Sequence, residues 1–144
     1  MFVTDNLRRN VQKILVDMEE RSDFLMEVRS ADPSWAKSRE RRWAAERALH
    51  VAIECVTDVA NLVIDALVMR DPGNYEDMLR VLLEERVVSQ EWFDGFVSIL
   101  DLRSRLVRDY GRLGPEDVRG AVGEYASLFG EYAESIRSYL GIEP

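Results

Sequence analysis

With 144 residues, 47% of them apolar and 32% charged, the chain has the composition of a folded domain able to bury a core without metal or disulfide support. A net charge of −8 repels nucleic acid phosphates at long range, so general DNA or RNA binding is disfavoured unless a local basic patch provides it. The one cysteine, Cys55, lies in an apolar run, reads as a small core residue, and excludes an intramolecular disulfide and a paired-thiol metal site.

The opening Met1-Phe2-Val3-Thr4-Asp5 passes straight into a charged amphipathic pattern rather than a secretion signal. The most apolar stretch, from Ala48 to Met69, carries Glu54, Asp58 and Asp65 and is too polar to cross a membrane. One cytoplasmic domain spanning residues 1–144 is the expectation.

The first helix is expected from about Asp5 to Val28, because Leu7, Val11, Ile14, Leu15, Met18, Leu25 and Val28 fall on one stripe at helical spacing. Ala31-Asp32-Pro33 breaks it, with Asp32 as N-cap and Pro33 as the first residue of a second helix. No glycine or proline follows until Asp71-Pro72-Gly73, so this helix is expected to run unbroken from Pro33 to about Met69. It would be roughly 55 Å long at ~1.5 Å per residue. Its first half is charged (Lys37, Arg39, Glu40, Arg41, Arg42, Glu46, Arg47) with Trp35 and Trp43 interleaved; its second half is apolar nearly all round and belongs inside a bundle. Such a helix overhangs a small bundle and finds cover in a second copy of the chain. Trp92, Phe93 and Phe96 add apolar surface beyond what one bundle covers, and a homodimer is expected.

Asn74 is placed to cap a short third helix, Tyr75 to Glu85, and Ser89 a fourth that carries Trp92, Phe93, Phe96, Ile99, Leu100, Leu102, Leu106 and Val107. Gly114-Pro115 starts a fifth, Glu116 to Leu140, whose inward residues are Val118, Val122, Tyr125, Leu128, Phe129, Tyr132 and Ile136; Gly141 ends it. No alternating run of strand length and no repeat occurs. The fold class is all-α: an up-and-down bundle of four main helices and one short one.

Two constellations carry candidate chemistry. On the second helix His50, Glu54, Asp58, Asn61 and Asp65 follow at spacings of four, four, three and four, and all project from one face. Burying carboxylates is costly unless they are paired, so the stripe faces solvent, a wet cleft, or arginines on another helix. A di-metal reading lacks the Glu-x-x-His pairs it needs, and no metal or cofactor is expected. On the fourth helix Arg103 and Tyr110 lie one heptad apart on one face, while Arg105, Arg108 and Arg112 lie on another, with Asp101 and Asp109 spaced to pair with Arg105. Phosphate loops, nucleophile elbows and zincin motifs are missing.

The order of these pieces resembles the HepT-like proteins of the HEPN superfamily. The similarity is carried by the second-helix run Ala52 to Asn61, by the turn Met69-Arg70-Asp71-Pro72-Gly73-Asn74-Tyr75-Glu76-Asp77, and by Arg103-Ser104-Arg105-Leu106-Val107-Arg108-Asp109-Tyr110. It extends from about Leu7 to Leu140. The last segment follows the family motif of arginine, four residues, histidine, any residue, tyrosine at its arginine and its tyrosine. The resemblance implies a ribonuclease that cleaves RNA without metal through attack by the ribose 2′-hydroxyl. It also implies a nucleotidyltransferase antitoxin partner that modifies the motif tyrosine. Here the histidine position holds Arg108. A guanidinium stays protonated near neutral pH and cannot shuttle protons as imidazole does. Arg103 and Tyr110 carry over as motif positions, Glu54, Asp58 and Asn61 as the facing groove, and His50 is assigned no role. The expected function is a non-catalytic, homodimeric binding or regulatory module; the alternative is an active metal-independent ribonuclease toxin of a toxin–antitoxin pair.

Overall fold

The Thr4 hydroxyl accepts from the Leu7 amide and starts α1 (Asp5–Arg29), whose buried stripe is Leu7, Val11, Leu15, Met18, Ser22, Leu25 and Val28. The computed structural model describes residues 2–143. Six further helices follow: α2 (Arg39–Ala66), α3 (Tyr75–Glu84), α4 (Gln90–Phe96), α5 (Ile99–Arg108), α6 (Pro115–Tyr125) and α7 (Leu128–Leu140), with single 3₁₀ turns at Pro33–Lys37 and Tyr110–Arg112. The fold is an all-α up-and-down bundle. Its four main rods are α1, α2, α4 with α5, and α6 with α7, and α3 is the short helix.

The second helix differs from the expectation at its start. Asp32 does cap, accepting from the Ser34 amide at 2.8 Å, but the turn it opens is 3₁₀ and stops at Ser38. Ser38 is extended (φ −74°, ψ 119°) and caps α2 afresh, its hydroxyl accepting from the Arg41 amide. The cause is Trp35, which is 3% exposed and pulls the 3₁₀ turn onto α2 and α6 instead of letting it continue outward. Little of the helix therefore overhangs; Trp43, one turn into α2, stays outside.

The expected fourth and fifth helices are each interrupted rather than continuous. Val97 and Ser98 join α4 to α5, and Ala126 and Ser127 join α6 to α7, all with right-handed helical backbone. At the first junction the Leu100 and Asp101 amides bond three residues back, to Val97 and Ser98, which tightens the turn. Trp92, Phe93 and Phe96 of α4 face inward and are buried, so these three do not form the exposed apolar surface expected of them. Trp92 stacks on Phe96 (4.5 Å between centroids) and on Tyr132 (5.0 Å), and its indole N–H donates to the Leu128 carbonyl at 2.9 Å. Tyr132, fully buried, donates to the Val56 carbonyl at 2.9 Å. Buried polar atoms are thus satisfied inside the core.

Between α2 and α3 the chain reverses on an ion-paired turn. Asn74 caps α3 by accepting from the Asp77 amide (2.8 Å), and Asp77 accepts from the Gly73 amide (2.9 Å). Arg70 grips Asp77 through both terminal nitrogens, each at 2.8 Å, and Glu84 through Nε at 3.0 Å. The guanidinium holds the Asp77 carboxyl well below the usual carboxylate range. This turn fixes where Tyr75 enters α3, opposite α5.

Candidate functional site

Helix α5 crosses α2 so that Arg103 meets the polar stripe at Glu54. Arg103 Nε donates to Glu54 Oε1 at 2.6 Å, and the hydrogen bond to that carboxylate raises the guanidinium's pKa, keeping it charged. Its carbon lies 4.4 Å from the Tyr75 ring centroid, and Nη2 is 3.5 Å from the Tyr75 hydroxyl. A cation over an aromatic face is attracted to the ring's quadrupole. Arg103 is therefore held on two sides, by a carboxylate of α2 and a ring of α3. The same Glu54 oxygen lies 3.6 Å from His50 Nε2, one turn back along α2. Glu54 accepts from Arg103 and has the His50 ring beside it.

The rest of the expected groove stays open. Asp58, Asn61 and Asp65 are exposed, and Asp58 has no ion pair among the described residues. Partial burial, then the neighbouring Glu54 charge, raise the Asp58 carboxyl above its ordinary value. Of the five-residue stripe, His50 and Glu54 reach the α5 side and the other three face solvent.

Arg108 and Tyr110 close α5. Arg108 is exposed and without an ion pair among the described residues. Arg105 pairs with Asp117 of α6 at 3.4 Å, not with Asp101 or Asp109 as its spacing suggested. Tyr110 sits on the 3₁₀ turn after α5, 70% exposed, on one wall of a groove of about 410 Å³. The opposite wall is the first half of α2, with Trp43, Glu46, Arg47 and His50. His50 thus links the Arg103–Glu54 pair to the Tyr110 groove. Sequence reasoning put Arg103, Tyr110 and Glu54 in the site but missed Tyr75 and gave His50 no place in it. Tyr75 had one signal: it follows the Asn74 cap in the turn that resembles the family's.

The site supplies cations, a tyrosine hydroxyl and a carboxylate, with no imidazole at the motif position. Among the described residues no cluster of histidine, cysteine or acidic side chains has the arrangement of a metal site. Cys55 is buried, its thiol pushed up to about 11 chiefly by desolvation, and is a core residue rather than a nucleophile.

The family model described as "Ribonuclease HepT-like" matches residues 13–136. The chain belongs to the HepT-like ribonuclease family. It is 32% identical over 100 residues, 69% of either chain, to the candidate RNase YutE of Bacillus subtilis. The solved structure of that cytosolic Bacillus subtilis protein superposes with a TM-score of 0.83 at 28% identity, covering 97% of this chain and 93% of the other. A tri-AMPylated HEPN toxin of Shewanella oneidensis, in complex with its MNT antitoxin, shares the fold at a TM-score of 0.78 and 18% identity, over 89% of this chain and 96% of that one. Among the described residues of this HepT-like chain, no helix is long and apolar enough to cross a membrane.

Proposed function

We propose that this protein is a non-catalytic member of the HepT-like family, a homodimeric binding or regulatory module descended from toxin ribonucleases. One observation carries the reading: the motif position that needs an imidazole holds Arg108, an exposed guanidinium. General acid–base catalysis needs a group that gives and takes a proton near the working pH, and arginine does not. Arg103, tied to Glu54 and stacked on Tyr75, is arranged to hold an anion in place rather than to move a proton. The test is incubation of wild-type protein with a labelled single-stranded RNA in excess chelator. The RNA is expected to remain whole. Robust cleavage that Arg103→Ala abolishes would overturn the reading.

A second reading has its own observation. His50, the one histidine of the chain, lies 3.6 Å from the carboxylate oxygen that also holds Arg103. A histidine beside a carboxylate and a substrate-holding arginine is placed to serve as a general base. Cleavage lost in both His50→Ala and Arg103→Ala, and kept in chelator, would establish an active ribonuclease with a relocated proton carrier.

An antitoxin-type partner is part of the proposal. Tyr110 is 70% exposed, so its hydroxyl is open to a modifying enzyme even where cleavage is lost. A solved structural neighbour is an AMPylated HEPN toxin bound to its MNT antitoxin, and this makes a nucleotidyltransferase the partner to try first.

A further inference from the structure

Where the end of α1, the 3₁₀ turn Pro33–Lys37 and α6 come together, they enclose a small pocket of about 160 Å³. Arg29 of α1 and Arg119 of α6 both line it, with Trp35 of the turn, Gly123 of α6 and the apolar side chains of Pro33 and Val122. None of these residues belongs to the Tyr110 groove or to the contacts of Arg103.

Trp35 is 3% exposed, and a buried indole N–H usually has an acceptor. Trp92 shows the ordinary case, donating to the Leu128 carbonyl at 2.9 Å. Trp35 donates to no acceptor among the described residues, yet none of their buried side-chain nitrogens is both sealed from solvent and unbonded. Its N–H therefore keeps an opening to solvent, and this pocket is where Trp35 meets it. The charges around it have one sign. No lining residue is acidic, and Arg29 has no ion pair among the described residues. Arg119 pairs with Glu116 on its own helix at 2.5 Å, an exposed contact that leaves other donors of the guanidinium free. Asp32, next to the lining in sequence, is occupied by the Ser34 amide at 2.8 Å. Arg29 also complements the carboxyl end of α1. That accounts for its own charge, but not for a second arginine arriving from α6 or for the unbonded indole.

We infer that this pocket binds a small oxyanion, a phosphate or carboxylate group, between Arg29 and Arg119 with the Trp35 N–H as a third donor. The guanidinium fork matches two oxygens of such a group at once, and an indole N–H can only donate. All three groups ask for an acceptor, and the pocket supplies none of its own. At about 160 Å³ it falls well short of the ~300 Å³ at which pockets for drug-sized ligands begin. It admits one such group with a few further atoms and has no room for a nucleoside. The ligand would tie together α1, the 3₁₀ turn and α6, and so fasten the turn that leads the chain into α2. Neither the motif residues nor the presence or absence of RNA cleavage enters into this.

The indole proton reports occupancy directly. The chain has three tryptophans and so three indole N–H signals in a nitrogen-15 spectrum. That of Trp43 is identified by its loss in Trp43→Phe, and that of Trp92 by slow exchange, since it is bonded to Leu128 inside the core. Inorganic phosphate at constant ionic strength is expected to move the Trp35 signal downfield and saturably, half-way at about 1 mM, while the other two stay. Acetate, with one charge and two oxygens, is expected to move the same signal at higher concentration, and sodium chloride to leave it in place. Because the ion binds the folded state, phosphate should also raise the thermal midpoint. Arg29→Ala and Arg119→Ala are each expected to weaken binding about tenfold, the worth of one charged hydrogen bond. Both arginines are exposed, so without phosphate these variants should melt as the wild type does. Gly123→Leu plugs the pocket: a Cβ there meets no atom within 4 Å, so the new side chain enters open space. It should abolish binding with a midpoint unchanged or higher, because leucine is the better helix former.

A Trp35 signal that neither phosphate nor acetate moves, or that chloride moves as far at the same ionic strength, overturns the inference. A Gly123→Leu protein that melts like the wild type and still shifts its Trp35 signal with phosphate places the ion elsewhere and overturns it too. So does binding undiminished in the double variant Arg29→Ala, Arg119→Ala, which changes no core residue and keeps the test open if Gly123→Leu folds poorly. Tighter binding of acetate than of phosphate would uphold the site and make its ligand a carboxylate, the other source of the same chemistry.

Discussion

Glu54 holds Arg103 with a short charged hydrogen bond and stands beside His50, while Asp58, one turn further, has only solvent and a like charge for company. The two carboxylates therefore respond differently to removal. Glu54→Ala strands a half-buried guanidinium and is expected to cost about 1–3 kcal/mol, toward the low end because both side chains keep some solvent. Asp58→Asn is expected to leave stability unchanged or slightly higher at neutral pH, by less than about half a kcal/mol. The sign follows from linkage: the folded state raises the Asp58 pKa above its ordinary value of 3.8, so it binds the proton more tightly than the unfolded chain does. The wild type then gains relative stability as pH falls from neutral through that raised pKa, and the advantage of Asp58→Asn disappears there. Urea denaturation of both variants at neutral and mildly acidic pH checks the pair. At the motif itself, Arg108→His is expected to gain measurable metal-independent RNA cleavage if the remaining site is intact, since a placed acid–base group contributes ~10²–10⁴-fold. Arg103→Ala in the same background should remove the gain. Helical spacing was enough to put His50, Glu54, Asp58, Asn61 and Asp65 on one face. Which of them meets a cation depends on where α5 crosses α2, a tertiary fact that no spacing within one helix contains.

Helix starts were largely legible, helix stops and bends were not. Asp32, Asn74 and Ser89 each accept from a backbone amide two or three residues on, as their side chains and positions suggested, and Gly141 takes the left-handed cap (φ 70°, ψ 37°). The stops after α2 and α3 carry no glycine. Val68 (φ 52°) and Arg86 (φ 59°) occupy the left-handed position, and the following residues close the loop, Met69 N–H to Ile64 at 2.9 Å and Val87 N–H to Leu82 at 2.8 Å. Burial of Met69 and Val87 holds both reversals against the local backbone preference. A β-branched residue in this region is strained, and Val68 is 80% exposed, so it returns little packing for the strain. Val68→Gly is therefore expected to stabilise the protein by roughly 0.5–1 kcal/mol, the relief of left-handed strain less the greater freedom of the unfolded chain. A thermal midpoint at or below that of the wild type would refute it. Trp35 and Trp43 teach the same lesson at the start of α2. Both sit in a charged stretch and look alike in sequence, yet Trp35→Ala should cost about 3–5 kcal/mol and Trp43→Ala less than about half a kcal/mol, because only Trp35 turns into the core.

For the whole molecule, helical periodicity was enough for the fold class, while the net charge says nothing of where the charges meet. A net charge of −8 is an average over the chain, and only the crossing of α2 and α5 brings Arg103 to Glu54. Oligomeric state is similar: the reason first offered for a dimer has to be replaced, since Trp92, Phe93 and Phe96 are core residues. A better candidate seam lies on the other side of α2. Phe24 of α1 and Ala44, Ala48 and Val51 of α2 line an open groove of about 430 Å³, edged by Glu20, Arg21 and Arg47. Small and medium apolar residues between charges of both signs suit a two-fold interface, where an acidic rim residue on one copy can face a basic one on the other. It shares only Arg47 with the Tyr110 groove, so a dimer formed here leaves Trp43 free. Light scattering at micromolar concentration is expected to give twice the 16.6 kDa chain mass. Val51→Glu places an unpaired charge at the centre of the seam and should give a monomer with undiminished helical circular dichroism, whereas Trp43→Ala should remain dimeric. A wild type that scatters as a single chain ends the dimer proposal. A dimer that survives Val51→Glu but not Trp43→Ala moves the seam onto α2's other edge, where Trp43 stands exposed.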